Sequence, residues 1–158
     1  MRFIDPHHDH WPPLPDDGAA PAGGRVLLSW EQWQAQRERP HLDLPIGVWL
    51  PNTLDIDSVR NDVPRWSLIA LQFPKWTDGR AYSQARLLRT RARFAGEIRA
   101  AGQVLVDMLP LLQRSGFDAV QLRQDQSLES AQRALRFFAS HYQGDVHEPR
   151  PLFAREAA

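Results

Sequence analysis

Strand-like and helix-like stretches alternate three times in the second half of the chain, and this alternation constrains the fold most. Strand-like runs begin at Leu68, Glu97 and Asp118, and a helical pattern follows each of them. The run 68–73 is apolar until Gln72, as expected for a strand that is buried on both faces of a parallel sheet. Such repeated units predict right-handed βαβ connections. The predicted fold class is therefore α/β: a single domain of βα units with a small parallel sheet, open or half-barrel-like.

The first half of the chain adds two strands to this prediction, Arg25–Trp30 and Ile46–Leu50. Ser29 and Gln32 have the spacing of a capping box for a helix over 30–39, which Pro40 would end. After the second strand, a weak helical segment is expected over 56–62 with Asp55 or Asp57 as its N-cap.

Three longer helices are predicted from apolar positions that recur every three or four residues. The first covers 80–94 and would end at Gly96, and the second covers 104–114 and would end at Gly116. Pro110 lies inside the second helix and is expected to kink it, because proline lacks an N–H and crowds the preceding turn. The third covers 128–142 behind the cap Ser127. Its inward positions are expected to be Leu128, Ala131, Leu135, Phe138 and Tyr142.

The chain of 158 residues is long enough for one domain with a substantial core. Residues 1–24 contain five prolines and three glycines, which predicts a disordered or extended N-terminal lead. Residues 25–143 form the predicted α/β domain, and 144–158 form a C-terminal tail. The lead includes His7-His8-Asp9-His10, which could bind a divalent metal, but such tails usually lack the fixed geometry that a metal site needs. We therefore expect no metal site.

The composition excludes several classes of function. There is no cysteine, so disulfides, iron–sulfur ligation and thiol nucleophiles are excluded. The formal net charge is zero, which gives no overall basic field for nucleic acid or an anionic membrane. No apolar run is long enough to cross a bilayer, and the N-terminus lacks the pattern of a signal peptide. A cytoplasmic location is expected.

Ligands of parallel α/β folds bind beyond the carboxyl ends of the strands. Four segments are expected there: 51–53, 74–80, 100–103 and 124–127. The segment 74–80 is the richest, because it holds Lys75, Asp78 and Arg80 together with Thr77. Lys75 is the only lysine of the chain.

The chemistry expected at this edge is the binding of a small anion. Gly102 would let backbone N–H groups approach a ligand at a helix N-terminus, and Lys75, Arg80 and Arg99 would add positive charge. Phosphate, sulfate, sulfite or a carboxylate would all fit. A purely structural interpretation stays open beside this one. Asp78 would then cap a helix, Arg86 and its neighbours would form a solvated helix face, and Arg99 would pair with Asp107.

Three stretches of the chain resemble a bacterial family known only as domain of unknown function 934. They are FPKWTDGRAYSQARLLR from Phe73, GEIRAAGQVLVDM from Gly96, and GFDAVQ from Gly116. The resemblance covers about a third of the chain. It differs from the family pattern at Trp76, Ala81, Met108 and Ser115, the last standing where a cysteine is common. The resemblance implies functional positions at Lys75, Asp78, Gly79, Arg80, Tyr82, Arg86, Arg99, Gly102 and Asp107.

Members of this family often lie beside sulfite reductase genes, so the resemblance implies an accessory role in assimilatory sulfite or sulfate reduction. The expected partners are sulfite reductase or a small oxyanion, bound through the loop 74–80. One alternative is a small oxidoreductase, in which Lys75 or Tyr82 donates a proton and the arginines hold an anionic substrate. Another is a non-catalytic interaction domain that forms a homodimer through its tryptophans. No nucleophile–base constellation and no cofactor fingerprint is recognisable, so catalytic residues and cofactors stay unassigned.

Overall fold

Six parallel strands form one open sheet in the order β1-β6-β5-β4-β3-β2. A computed structural model of the protein describes residues 1–15, 24–38, 44–138 and 141–155. The strands are β1 (Arg2–Phe3), β2 (Val26–Leu28), β3 (Ile46–Leu50), β4 (Leu68–Phe73), β5 (Glu97–Gly102) and β6 (Ala119–Val120). The helices are α1 (Trp30–Gln36), α2 (Arg80–Thr90), α3 (Leu109–Ser115) and α4 (Leu128–Phe137). The predicted α/β fold with a parallel sheet is confirmed, and the sheet does not close into a barrel.

Each strand from β2 to β6 lies beside the next strand in the sequence. Right-handed connections between neighbouring parallel strands place every crossover on the same face of the sheet. The packing agrees, because one core cluster joins side chains of all four helices to alternate residues of the strands, such as Ile69, Leu71 and Phe73 of β4. Full burial of a side chain of this size contributes about 1.5–3 kcal/mol, so this face carries most of the hydrophobic stabilisation.

The opposite face of the sheet is covered by the N-terminal lead. Trp11 is buried there in a second cluster with Leu27, Leu68 and Ala70. Backbone hydrogen bonds join Pro12 and Leu14 to Leu27 of β2. The described part of the lead contains a 3-10 turn, Pro6–His8, between extended residues, and its proline content did not predict that it also supplies strand β1, which pairs with β6.

Two helix predictions need correction at prolines and glycines. Pro110 does not kink a helix, because a 3-10 turn covers Val106–Met108 and Pro110 occupies the first turn of α3, where no N–H is required. Helix α2 ends at Thr90 rather than at Gly96, and the chain reverses through Arg93, whose φ is 55°. Gly116 ends α3 in the left-handed conformation with φ 101°, as predicted.

The other elements follow the sequence with shorter bounds. The capping box of Ser29 and Gln32 is present at α1, whereas the predicted stop at Pro40 lies outside the described residues. Asp55 caps a 3-10 turn, Ile56–Val59, instead of an α-helix. Ser127 caps α4, which ends at Phe137. Because the chain leaves the helix there, Phe138 and Tyr142 are exposed rather than inward, and Leu128 is exposed as well.

None of the helices in the described parts of the chain is long and apolar enough to cross a membrane.

Candidate functional site

The loops at the carboxyl ends of β3 and β4 are joined by buried polar side chains. Asn52, which directly follows β3 and Pro51, is 6% exposed and donates a 2.7 Å hydrogen bond from Nδ2 to Asp78 Oδ2. Gln84 of α2 is 4% exposed and donates from Nε2 to the carbonyls of Pro51 and Leu54, at 3.0 and 2.8 Å. These bonds fix the loop after β4 and the start of α2 against the loop after β3.

Asp78 and Arg80 form a bidentate ion pair at the start of α2. Arg80 Nε lies 3.0 Å from Asp78 Oδ1, and Arg80 Nη2 lies 2.6 Å from Oδ2. The backbone N–H of Arg80 also donates to Asp78 Oδ1 at 3.2 Å, so Asp78 satisfies one free helix N–H although Gly79 occupies the N-cap position. Hydrogen bonding from the Arg80 side chain, opposed in part by desolvation, holds the pKa of Asp78 well below its usual range.

The tip of the same loop is exposed. Lys75, Trp76 and Thr77 all face solvent, and the Trp76 ring is 55% exposed. The other five tryptophans are buried or half-buried. The six tryptophans therefore do not form one exposed surface, and Trp76 is the most exposed of them. We call residues 74–80 the presenting loop.

Tyr82, at the start of α2, packs into the main core. Its ring packs edge-on against Phe73 and Phe117, with centroids 5.3 and 6.4 Å away. Burial, and secondarily the negative charge of Asp107, raise the pKa of Tyr82 to about 12. A phenol with such a pKa is a weak proton donor near neutral pH, which disfavours the acid role considered for it. Asp107 is exposed in the turn before α3.

The backbone conformation and the close packing at position 102 require glycine. The φ of Gly102 is +100°, and an added Cβ would lie 2.5 Å from the carbonyl oxygen of Phe73 on the neighbouring strand. The helix N-terminus expected at Gly102 is not there, because the next helical turn begins at Val106. At Gly79, by contrast, a Cβ would meet only Tyr82 Cδ2, at an ordinary contact distance of 3.8 Å. Arg86 is exposed on α2, six residues from Arg80 and so about 120° around the helix from it.

Arg99 does not pair with Asp107, so that prediction is wrong. Its register neighbours on β4 and β6 are Ala70 and Ala119, which place it on the face that the N-terminal lead covers. The guanidinium is 3% exposed and pairs with Asp9 of the lead and with Glu97. Arg2 of β1 also pairs with Glu97. Two carboxylates neutralise Arg99, which therefore joins the lead to the sheet and is not brought to the presenting loop.

A second polar group at the carboxyl edge was missed by the sequence analysis. Arg123, after β6, forms a bidentate pair with Asp125, with both N–O distances 2.6 Å, and its Nη1 donates to Gln103 Oε1 at 3.3 Å. The Arg123 side chain lowers the pKa of Asp125 to about 2. Gln103 and Asp125 lie in two of the four segments expected at this edge, and Arg123 directly precedes one of them, but only the fold shows that β5 and β6 bring the three together.

The histidine-rich start of the chain is not arranged as a metal site in this structure. Asp9 is held by Arg99, and His8 Nδ1 lies 2.8 Å from Asp5 Oδ2. Across the described residues, no group of three or more histidine, aspartate and glutamate side chains could hold a metal ion.

Residues 47–153 match the family described as "Bacterial protein of unknown function (DUF934)". This match covers more than half of the chain. The protein belongs to the DUF934 family. A comparison with curated proteins found no match. The resemblance to domain of unknown function 934 drawn from the three sequence stretches is thereby confirmed.

Part of the first sequence stretch that resembles the DUF934 family has a structural role. Arg89, which ends the first stretch, donates to the carbonyls of Phe94, Gly96 and Gly116 and pairs with Asp118. It thus joins the end of α2 to the start of β5 and the end of α3. The same stretch contains the presenting loop, residues 74–80. This one DUF934 motif therefore combines an exposed loop with a helix end that holds the fold together.

Proposed function

We propose that this DUF934 protein is a non-catalytic accessory component of assimilatory sulfite or sulfate reduction, and that it docks on sulfite reductase through the presenting loop. The class of partner comes from the family resemblance. The docking mode is supported by the structure of the loop. Hydrogen bonds from buried side chains hold the loop in place, and its tip is exposed to solvent.

The observation that carries the proposal is the chain of contacts from Asn52 to Asp78 to Arg80 beneath an exposed Trp76. Binding costs conformational entropy when a loop must be ordered, and a loop that is already held avoids much of that cost. Tryptophan is also among the residue types that dominate binding energy at protein interfaces. A fixed loop that presents Trp76 beside Lys75 therefore has the character of a docking element.

Capture of a free oxyanion is less well supported at this loop. The guanidinium of Arg80 is already engaged by Asp78 through two hydrogen bonds, which leaves Lys75 as the cation of the loop that pairs with no carboxylate of the described residues. A carboxylate at the same place also repels an incoming anion. The oxidoreductase alternative is weakened, because its proposed phenolic proton donor, Tyr82, faces the core and has a raised pKa.

The proposal can be tested by growth and by binding. A deletion strain is expected to fail on sulfate and on sulfite as sole sulfur source, and to grow normally on sulfide or cysteine. Failure on all four sources, or growth on all four, would contradict the placement at sulfite reduction.

The docking part is tested with the purified chain and the sulfite reductase of the same bacterium. Trp76→Ala should weaken binding by about tenfold or more and should not restore growth to the deletion strain. Gln34→Ala, an exposed change on α1, is the matched control and should bind and complement like the wild type. If Trp76→Ala binds and complements as well as Gln34→Ala, docking through this loop is wrong.

A further inference from the structure

A cleft of about 880 Å³ opens between α3, α4 and the C-terminal segment 141–155, away from the presenting loop. Its size lies within the range of small-molecule sites, roughly 300–1,000 Å³. The C-terminal segment forms the third wall and is fixed to α3. The N–H of Val146 donates to the carbonyl of Arg114 at 3.3 Å, and His147 Nε2 lies 3.1 Å from the carbonyl oxygen of Gln113.

The cleft has an apolar wall formed by side chains of both helices. Leu111 of α3, Leu135 of α4, and Phe138 just after α4 line it. Leu111 is 48% exposed and Phe138 is 68% exposed, so large apolar surfaces face the opening. Such surfaces in a concave site favour a ligand with an apolar body.

Arg114, at the end of α3, gives the cleft a positive charge without a partner. Its Nε atom is buried and has no hydrogen-bond acceptor among the residues that the structure describes, and its guanidinium pairs with none of their carboxylates. Buried donors without a partner are rare in folded proteins, and each one calls for a physical reason. An anion held in the cleft would supply the guanidinium with a counter-charge.

The carboxylates that line the cleft do not neutralise the charge of Arg114. Asp145 is occupied by His141, whose Nε2 lies 2.8 Å from Oδ2, and by the N–H groups of His147 and Glu148, each 2.8 Å from Oδ1. Asp107 lies seven residues before Arg114, at the other end of α3. The end of the cleft near Arg114 therefore carries the unneutralised positive charge.

We propose that this α3–α4 cleft binds a small organic anion with an apolar body, such as an aromatic carboxylate or sulfonate, with Arg114 holding the anionic group. Leu111, Leu135 and Phe138 contact the apolar body. This inference is independent of the docking function of the presenting loop.

Two dyes of the same skeleton test it. 8-Anilinonaphthalene-1-sulfonate carries a sulfonate, and N-phenyl-1-naphthylamine lacks it, while both fluoresce strongly in apolar surroundings. The wild-type chain should bind the sulfonate saturably with one site. Arg114→Gln should weaken the sulfonate about tenfold and leave the neutral dye within about twofold, because the lost ion contact acts on the charged group alone.

Two further variants complete the test. Leu111→Ser should weaken both dyes, which assigns the binding to this cleft, and Arg136→Gln is the matched control on an exposed arginine of α4. Thermal melts of all variants establish that they are folded. Sulfonate binding that is unsaturable, or that is equally strong in Arg114→Gln, would overturn the proposal. So would equal binding of both dyes by Leu111→Ser and the wild type.

Discussion

The side-chain amide of Asn52 donates to the carboxylate of Asp78 at 2.7 Å and joins the loop after β3 to the loop after β4. Asn52 is buried, whereas Asp78 stands at the border of an exposed segment. The pair is thus the point where the interior of the protein holds the presenting loop.

Asn52→Ala should loosen the presenting loop without unfolding the protein. The change removes the amide that holds Asp78 and leaves a buried space, at an expected cost of about 1–2 kcal/mol in the free energy of unfolding. Urea unfolding measures that cost, and hydrogen exchange should become faster at the backbone amides of residues 75–79. Thr53→Ala changes an exposed neighbour and should alter neither quantity. Equal exchange rates in the two variants would mean that Asn52 does not hold the loop.

The contribution of Asp78 to stability should depend on pH. Its pKa is depressed in the folded protein, so its contribution is present above the unfolded value near 4 and is lost as the pH falls through the lower folded pKa. Asp78→Asn should therefore be less stable than the wild type at pH 6, and the difference should shrink steadily below about pH 4. Denaturation midpoints between pH 2 and pH 7 provide the measurement. A difference that stays constant over this range would show that the ion pair with Arg80 adds nothing to stability.

Gly102→Ala should destabilise the protein by more than about 2 kcal/mol. Both a left-handed φ and a backbone contact at 2.5 Å oppose a Cβ at this position. Gly79→Ala is the matched control, since Gly79 has a negative φ and an added Cβ would make only an ordinary 3.8 Å contact with Tyr82, and it should change stability by less than about 1 kcal/mol. The comparison of the two unfolding free energies distinguishes a steric requirement from a general effect of removing glycine.

Arg99→Gln should release the N-terminal lead from the sheet. The substitution leaves Asp9 and Glu97 without their buried cation, and breaking a buried pair in this way commonly costs about 3–5 kcal/mol. Limited proteolysis should then cut within residues 4–15 before the rest of the domain is degraded. Arg91→Gln breaks an exposed pair with Asp57 and should cost less than about 1 kcal/mol. Protection of the lead in Arg99→Gln would contradict the role that the structure gives to Arg99.

The strands were predictable where their sequence was apolar over nearly its whole length. Leu68–Phe73 and Ile46–Leu50 have the predicted bounds, because burial on both faces of a parallel sheet requires such a run. The strand β1 was not predictable, because its two residues pair only with β6 at a distant point of the chain. Phe138 and Tyr142 fit a helical period, but α4 ends before either of them can turn inward.

The sequence by itself determined the α/β class, the family, and the edge of the sheet at which the presenting loop lies. These depend on local apolar runs and on the parallel order of the strands, both of which can be inferred from the order of residues along the chain. Only the tertiary structure decided which charges meet. Asp78 pairs with Arg80 and Asn52, Arg99 pairs with Asp9 and Glu97, and the Arg114 side chain pairs with no carboxylate of the described residues. Charged side chains interact over a few ångströms, and which of them come that close depends on how distant segments pack.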